Sequence, residues 1–139
     1  MKEVAIKASQ IKRVHKALSM VPYAKLLGIE LDEVGYGTAT LSLPVRKELT
    51  QNHGVVHGGA TASLIDSAMA LAIIPLLGPK EKVTTVDLTI SYLRPVTTGQ
   101  MKASAKVLRS GRRLICVTAE VVNSDQTLIA TALSTYIRV

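Results

Sequence analysis

The 139-residue sequence has no Phe and no Trp, only four Tyr (Tyr23, Tyr36, Tyr92 and Tyr136) and one Cys, Cys116. With so few rings the core must be assembled from Ala, Val, Ile and Leu, and the aromatic platforms on which nucleic-acid bases stack are lacking. A lone cysteine in the apolar run Leu114-Ile115-Cys116-Val117 excludes an intrachain disulfide and a thiolate metal cluster, and it fits a reducing compartment. His15, His53 and His57 lack the spacing of a metal-binding helix pair. The chain does not open on a continuous apolar signal core, and no stretch reaches the ~20 apolar residues expected of a membrane span. A cytoplasmic protein with no membrane partner is therefore expected. Acidic residues are also scarce: 10 Asp and Glu stand against 17 Lys and Arg, a formal charge of +7. That balance admits nucleic acid, a membrane surface or a phosphate-bearing small molecule as partner, and charge alone does not choose.

A 47% hydrophobic content over this length predicts one packed domain, residues 1–139, with one site. Residues 3–20 set Val4, Ile6, Ile11, Val14 and Leu18 among Lys7, Lys12, Arg13 and Lys16. This predicts a loosely amphipathic helix with a basic face, either a solvated edge helix or an anion-binding arm. Residues 1–22 thus form a basic helical extension, and Tyr23 to Leu27 predict a second, short helix closed by Gly28.

From Ile29 the period becomes two. Ala39, Leu41, Leu43 and Val45 alternate with polar residues after the Gly35-Tyr36-Gly37 turn. Val86, Leu88, Ile90 and Tyr92 alternate with Thr85, Asp87, Thr89 and Ser91, and Met101, Ala103, Ala105 and Val107 with Lys102, Ser104 and Lys106. Turn signals at Arg94-Pro95, Thr98-Gly99, Ser110-Gly111 and Ser124-Asp125 join these to two further strands, over 113–122 and 128–139. Turns this short predict a meander of neighbouring antiparallel strands. Between the early and late strands lies GGATASLIDSAMALAIIP, residues 58–75, apolar on nearly every side. A helix of that kind belongs inside a fold, so a curved sheet wrapped around one long helix is expected, an α+β architecture.

Asp66 sits near the middle of that helix, where aspartate is a poor helix former and costly to bury unpaired. Two readings account for it: a carboxylate facing a solvent gap or paired with a sheet Arg or Lys, or a general base or nucleophile in a partly dry site. His57-Gly58-Gly59 opens the same helix. The glycines either allow a tight strand-to-helix turn or bare the first-turn N–H groups, and with them the positive end of the helix dipole, to a ligand oxygen. His57 and Asp66 are nine residues apart, hence ~13.5 Å along the axis and on roughly opposite faces. If both are catalytic, one subunit's helix start must meet another's Asp66 at a two-fold interface.

The stretch LTQNHGVVHGGATASLIDSAMALAI resembles the signature of hotdog-fold acyl-CoA thioesterases of the phenylacetate-degradation (PaaI-like) type, with Gly54, His57, Gly58, Gly59 and Asp66 in register. VTTVDLTISYLRP, residues 83–95, resembles the strand that follows the helix in that family, and the likeness covers roughly residues 23–139. It implies the hotdog fold, hydrolysis of an acyl-CoA substrate, and a homodimer paired into a homotetramer. By position, it also implies that Asp66 attacks the thioester or activates water, that the Gly58 N–H polarises the carbonyl, and that His57 orients the site. Gln51 stands where the family has Asn, with Asn52 one step along, so either could support His57; Thr85 matches a position that helps hold the attacking water. Thr85 falls on the face opposite Val86 by alternation. Arg109, Arg112 and Arg113 put three guanidinium groups on one hairpin, suited to the phosphates of coenzyme A or simply to solvent. Water and a carboxylate suffice for the implied chemistry, so no cofactor, metal or nucleic acid is expected. A non-catalytic acyl-CoA-binding module and a hydratase or dehydratase are the rivals; Asp66 argues against the first and the G-x-x-H-G-G…Asp spacing against the second.

Overall fold

A computed structural model describes residues 4–139; residues 1–3, the start of the expected helical extension, lie outside the described residues. Helix α1 runs Ala8–Ser19 and α2 runs Pro22–Leu27. Pro22 opens α2, where its missing N–H costs nothing, and Gly28 closes it at φ 86°, a left-handed conformation that needs no Cβ. Strands β1 (Glu30–Gly35) and β2 (Thr38–Pro44) form the expected hairpin around Tyr36-Gly37. Helix α3 (Gly58–Ile73) follows, then β3 (Val83–Tyr92), β4 (Gln100–Ser110), β5 (Leu114–Val122) and β6 (Leu128–Arg138).

The six strands form one antiparallel sheet in the order β1-β2-β4-β5-β6-β3, and α3 packs on its concave face, the hotdog arrangement. Leu64, Ile65, Ala68, Met69 and Ile73 of α3 have no exposed surface, and they meet an equally sealed sheet layer of Leu41, Leu43, Met101, Ala103, Val107, Val117 and Val121. The aliphatic composition is thus spent on one interface. The apolar segment Gly58–Leu76 is long and apolar enough, at 19 residues, to cross a membrane, contrary to the reading of its length from sequence, but it is the core helix of the sheet.

Two expectations need correction. The meander holds only for β4, β5 and β6; β3 does not pair with β4 but lies at the far edge, against β6. Arg94-Pro95 and Thr98-Gly99 do not make a tight turn. They belong to a seven-residue segment, 93–99, long enough to cross the three strand spacings, ~14 Å, that separate β3 from β4. Buried Val96 anchors it by accepting the Val56 N–H, and Gly99 accepts that of Val45. The second correction concerns the faces of β3. The register shifts between Thr85 and Asp87, so Val86 is the extra residue of a bulge and is 56% exposed, while Thr85 turns toward α3 with Leu88 and Ile90.

Helix α1 docks on the C-terminal end of α3. Its Val14 is fully buried, the Gln10 side chain donates to Pro75 O (3.1 Å), and the Arg13 guanidinium donates to the carbonyls of Ile74 and Leu77. A cation on the last carbonyls of a helix complements its dipole. Lys7, Lys12, His15 and Lys16 point to solvent.

Candidate active site on the central helix

The sheet leaves one stripe of α3 uncovered: Gly59, Ala62, Ser63, Asp66, Ser67 and Ala70 retain exposure, at the three- and four-residue spacing of a single helical face. Asp66 is thus the carboxylate in the middle of a stripe of small residues. No cation pairs with it among the described residues. Two sheet hydroxyls bind it instead. Tyr136 of β6 donates to Asp66 Oδ1 at 2.6 Å, and Thr85 of β3 donates to the same oxygen at 3.2 Å. The Tyr136 hydroxyl also lies 3.1 Å from the Asp66 carbonyl oxygen. Thr85 and Tyr136 face each other across the β3–β6 ladder, and the bulge at Val86 is what brings Thr85 to the helix side.

Tyr136 is 2% exposed. Burial pushes its phenol well above the ordinary value; the hydrogen bond and negative charge of Asp66 push it further, and Thr85 offsets a little of this. It therefore remains a neutral donor to the carboxylate. Asp66 Oδ2 has no partner among the described residues, yet it is not sealed away, since the one buried, unpartnered side-chain polar atom among them is Arg13 Nε. Sequence reading missed Tyr136. The available signal was that a Tyr on an alternating strand, in a chain with four aromatics, buries a hydroxyl that needs an acceptor.

The start of α3 forms a separate feature. His57 is the N-cap, and its Nδ1 accepts the Gly59 N–H at 2.8 Å, so its proton resides on Nε2. This corrects the expectation that both glycines offer free donors: Gly59 is taken, and the Gly58 N–H is the one without an acceptor among the described residues. Both positions have steric reasons to be glycine. A Cβ on Gly59 would come within 2.9 Å of His57 Nδ1, and one on Gly58 within 3.3 Å of the Tyr92 ring, whose hydroxyl donates to Gly58 O at 2.8 Å. A cleft of about 310 Å³ opens here, lined by Gln51, Val56, Gly58, Thr61, Tyr92 and Arg94 among others. Gln51 lines it, whereas Asn52 lies in the exposed turn Asn52–Gly54; neither side chain hydrogen-bonds His57.

Asp66 does not line that cleft. The two features lie at opposite ends of β3, Asp66 at Thr85 and Gly58 at Tyr92. Arg109, Arg112 and Arg113 are all exposed around the β4–β5 turn. Arg138 braces that turn, donating to Gly111 O (3.3 Å) and Ser110 Oγ (2.9 Å) while pairing with Glu81. Because Ile115 pairs with Tyr136, the arginine hairpin belongs to the Asp66 end of the sheet.

Comparison with known proteins places this geometry. The thioesterase superfamily profile matches residues 53–130, which include the start of α3, Asp66 and Thr85. The medium/long-chain acyl-CoA thioesterase YigI of Escherichia coli K12 is 28% identical over 131 residues, covering 84% of this chain and 84% of that protein. The structure of the conserved protein PA5202 from Pseudomonas aeruginosa superposes with a TM-score of 0.83 at 34% identity, covering 89% of this chain and 98% of that one. The E. coli PaaI protein, from a phenylacetic acid degradation operon, superposes with a TM-score of 0.89 at 25% identity, over 97% and 96% of the two chains.

Proposed function

The chain belongs to the thioesterase superfamily and is a thioester hydrolase, and from that premise we propose that it cleaves an acyl-CoA to the free acid and coenzyme A at a site shared by two subunits. Asp66 supplies the reacting carboxylate and the Gly58 N–H of the other subunit polarises the thioester carbonyl. The observation that carries this reading is a carboxylate with one free oxygen in an apolar helix whose N-terminal donor, free among the described residues, lies at the opposite end of β3.

The edge position of β3 supports the pairing. It is a ten-residue strand whose outer edge is unpaired among the described residues, a template for another strand. If two copies join antiparallel through β3 about a two-fold axis near Leu88-Thr89, Thr85 of each faces Tyr92 of the other. The Asp66 end of one subunit then meets the Gly58 end of its partner. Pairing of such dimers into tetramers completes the proposed assembly.

In the shared site the thioester oxygen sits at the Gly58 N–H, where the helix dipole favours developing negative charge. In one route a water oxygen bonds to the carbonyl carbon as its proton passes to Asp66. Collapse of the tetrahedral oxyanion then breaks the C–S bond, and the thiolate takes that proton. In the other, Asp66 itself bonds to the carbon, coenzyme A leaves as thiolate, and water hydrolyses the mixed anhydride. Thr85 keeps two lone pairs to accept from the water in either route. A single turnover in H₂¹⁸O identifies the second route when label enters Asp66, by attack of water on the aspartyl carbonyl; trapping of an acylated Asp66 identifies it when water attacks the acyl carbonyl instead. His57 orients the Gly58-Gly59 turn, Gln51, which lines the cleft, is the better placed of Gln51 and Asn52 to support it, and Arg109, Arg112 and Arg113 receive the coenzyme A phosphates.

Thiol release from short, medium, long and aryl acyl-CoA thioesters, run on wild type beside Asp66→Ala, tests the reading. Turnover by wild type that falls by at least a hundredfold in the variant is expected. Binding of acyl-CoA without turnover across the panel, or full activity in a folded Asp66→Ala protein, overturns it.

A further inference from the structure

We infer that Tyr136 is a positioning residue for the hydrolysis: with Thr85 it holds Asp66 by Oδ1 and so leaves Oδ2 as the oxygen that reacts. The inference rests on the reading of Asp66 as the working carboxylate and adds which of its oxygens works, and what selects it.

A free aspartate carboxylate rotates about its terminal torsion and presents either oxygen. Here both hydroxyls converge on one of them, at 2.6 and 3.2 Å, and none of the described residues reaches the other. The Tyr136 donor cannot drift, because its side chain is 2% exposed and its strand pairs on both sides, with Thr85 and Ile115. The Val86 bulge keeps Thr85 on the helix side of β3, within reach of Asp66. Burial keeps the phenol protonated, so it always donates and never competes with substrate for a proton.

The Tyr136 ring stands in the sheet layer, and its hydroxyl is 3.1 Å from the Asp66 carbonyl oxygen as well as 2.6 Å from the carboxylate. A single atom thus touches both the backbone and the side chain of Asp66, while the packing of α3 on β2, β4 and β5 holds the helix itself. Removing that atom frees the carboxylate to turn while leaving the Gly58 donor and the substrate-binding surfaces as they were. The loss therefore falls on turnover and not on affinity.

The test compares Tyr136→Phe, Thr85→Val and Asp66→Asn, each alone and with Tyr136→Phe added to Asp66→Asn. Tyr136→Phe is expected to lower kcat about tenfold or more with KM within about twofold, the scale of a hydrogen bond to a charged group. Thr85→Val, which removes the second donor to the same oxygen without altering the core, is expected to lower kcat in the same sense; should Tyr136→Phe fail to fold, wild-type kcat in Thr85→Val overturns the inference in its place. In the Asp66→Asn background, Tyr136→Phe should change the residual rate by less than about twofold, because residues acting through a common partner are not additive. Wild-type kcat in folded Tyr136→Phe, or an undiminished tenfold effect when Asp66 is already Asn, overturns the inference. Full activity of Asp66→Asn instead sinks the reading beneath it, so the two failures are told apart.

Discussion

Mixing two inactive variants should restore activity, and by a calculable amount. Gly58 and Asp66 are separated by about 12 Å along α3 and meet opposite ends of β3, too far apart for one chain to present both to one thioester carbon. His57→Ala removes the side chain that caps the Gly59 N–H and thereby holds the Gly58 donor. The lost cap costs about 1 kcal/mol, small enough for the proposed dimer to persist. Asp66→Ala removes the carboxylate. Each homodimer then has two defective sites. A heterodimer has one site carrying both lesions and one site carrying neither. At equal mixing with free exchange, half the dimers are mixed, so about a quarter of all sites are intact and about a quarter of wild-type activity returns. Recovery follows the product of the two mole fractions, so a nine-to-one mixture returns only about 9%. The assay is thiol release after overnight mixing, with exchange verified by native mass spectrometry of a size-tagged variant. Verified heterodimers with no recovery at any ratio would refute the shared site.

Two further outcomes follow. Tyr136 has a folded-state phenol raised above the ordinary 10.0, with burial the leading cause. Below that pH both folded and unfolded chains keep the proton and Tyr136 adds no pH dependence; above it only the unfolded chain ionises, so stability falls as pH rises. Urea midpoints at pH 8 and pH 11 should differ less in Tyr136→Phe than in wild type. Replacing Arg112 and Arg113 together by Ala should raise KM for an acyl-CoA severalfold without changing kcat, and it should leave the same acyl group on a phosphate-free thiol unaffected. An equal effect on both substrates would exclude a phosphate contact.

Much of the fold was legible because its determinants are local. Alternation in 38–45 and 101–107 marks sheet faces, and the uniformly apolar 58–75 marks a buried helix. Pairing of β3 was not legible: neighbouring turn signals in 93–99 look alike whether the chain turns back at once or crosses three strands, and only the competition for sheet edges decides. Asp66 stood out because an acid in an apolar helix breaks the pattern. Of its partners, Thr85 was legible only through the family resemblance, and alternation puts it on the wrong face because a bulge turns it to the helix; Tyr136 was missed because it comes from 70 residues away.

The residue order alone thus determined which segments are helix and strand, which helix is interior, and that His57 and Asp66 lie nine residues apart on it, on roughly opposite faces. Periodicity and spacing act over a few residues and need no knowledge of what packs on what. Tertiary structure alone decided that His57 occupies the Gly59 N–H and leaves Gly58 free, that β3 is an edge strand, and that two hydroxyls from different strands seize the same oxygen of Asp66. Those facts depend on directions and distances between segments remote in the chain, which the sheet fixes only when every strand has found its neighbour.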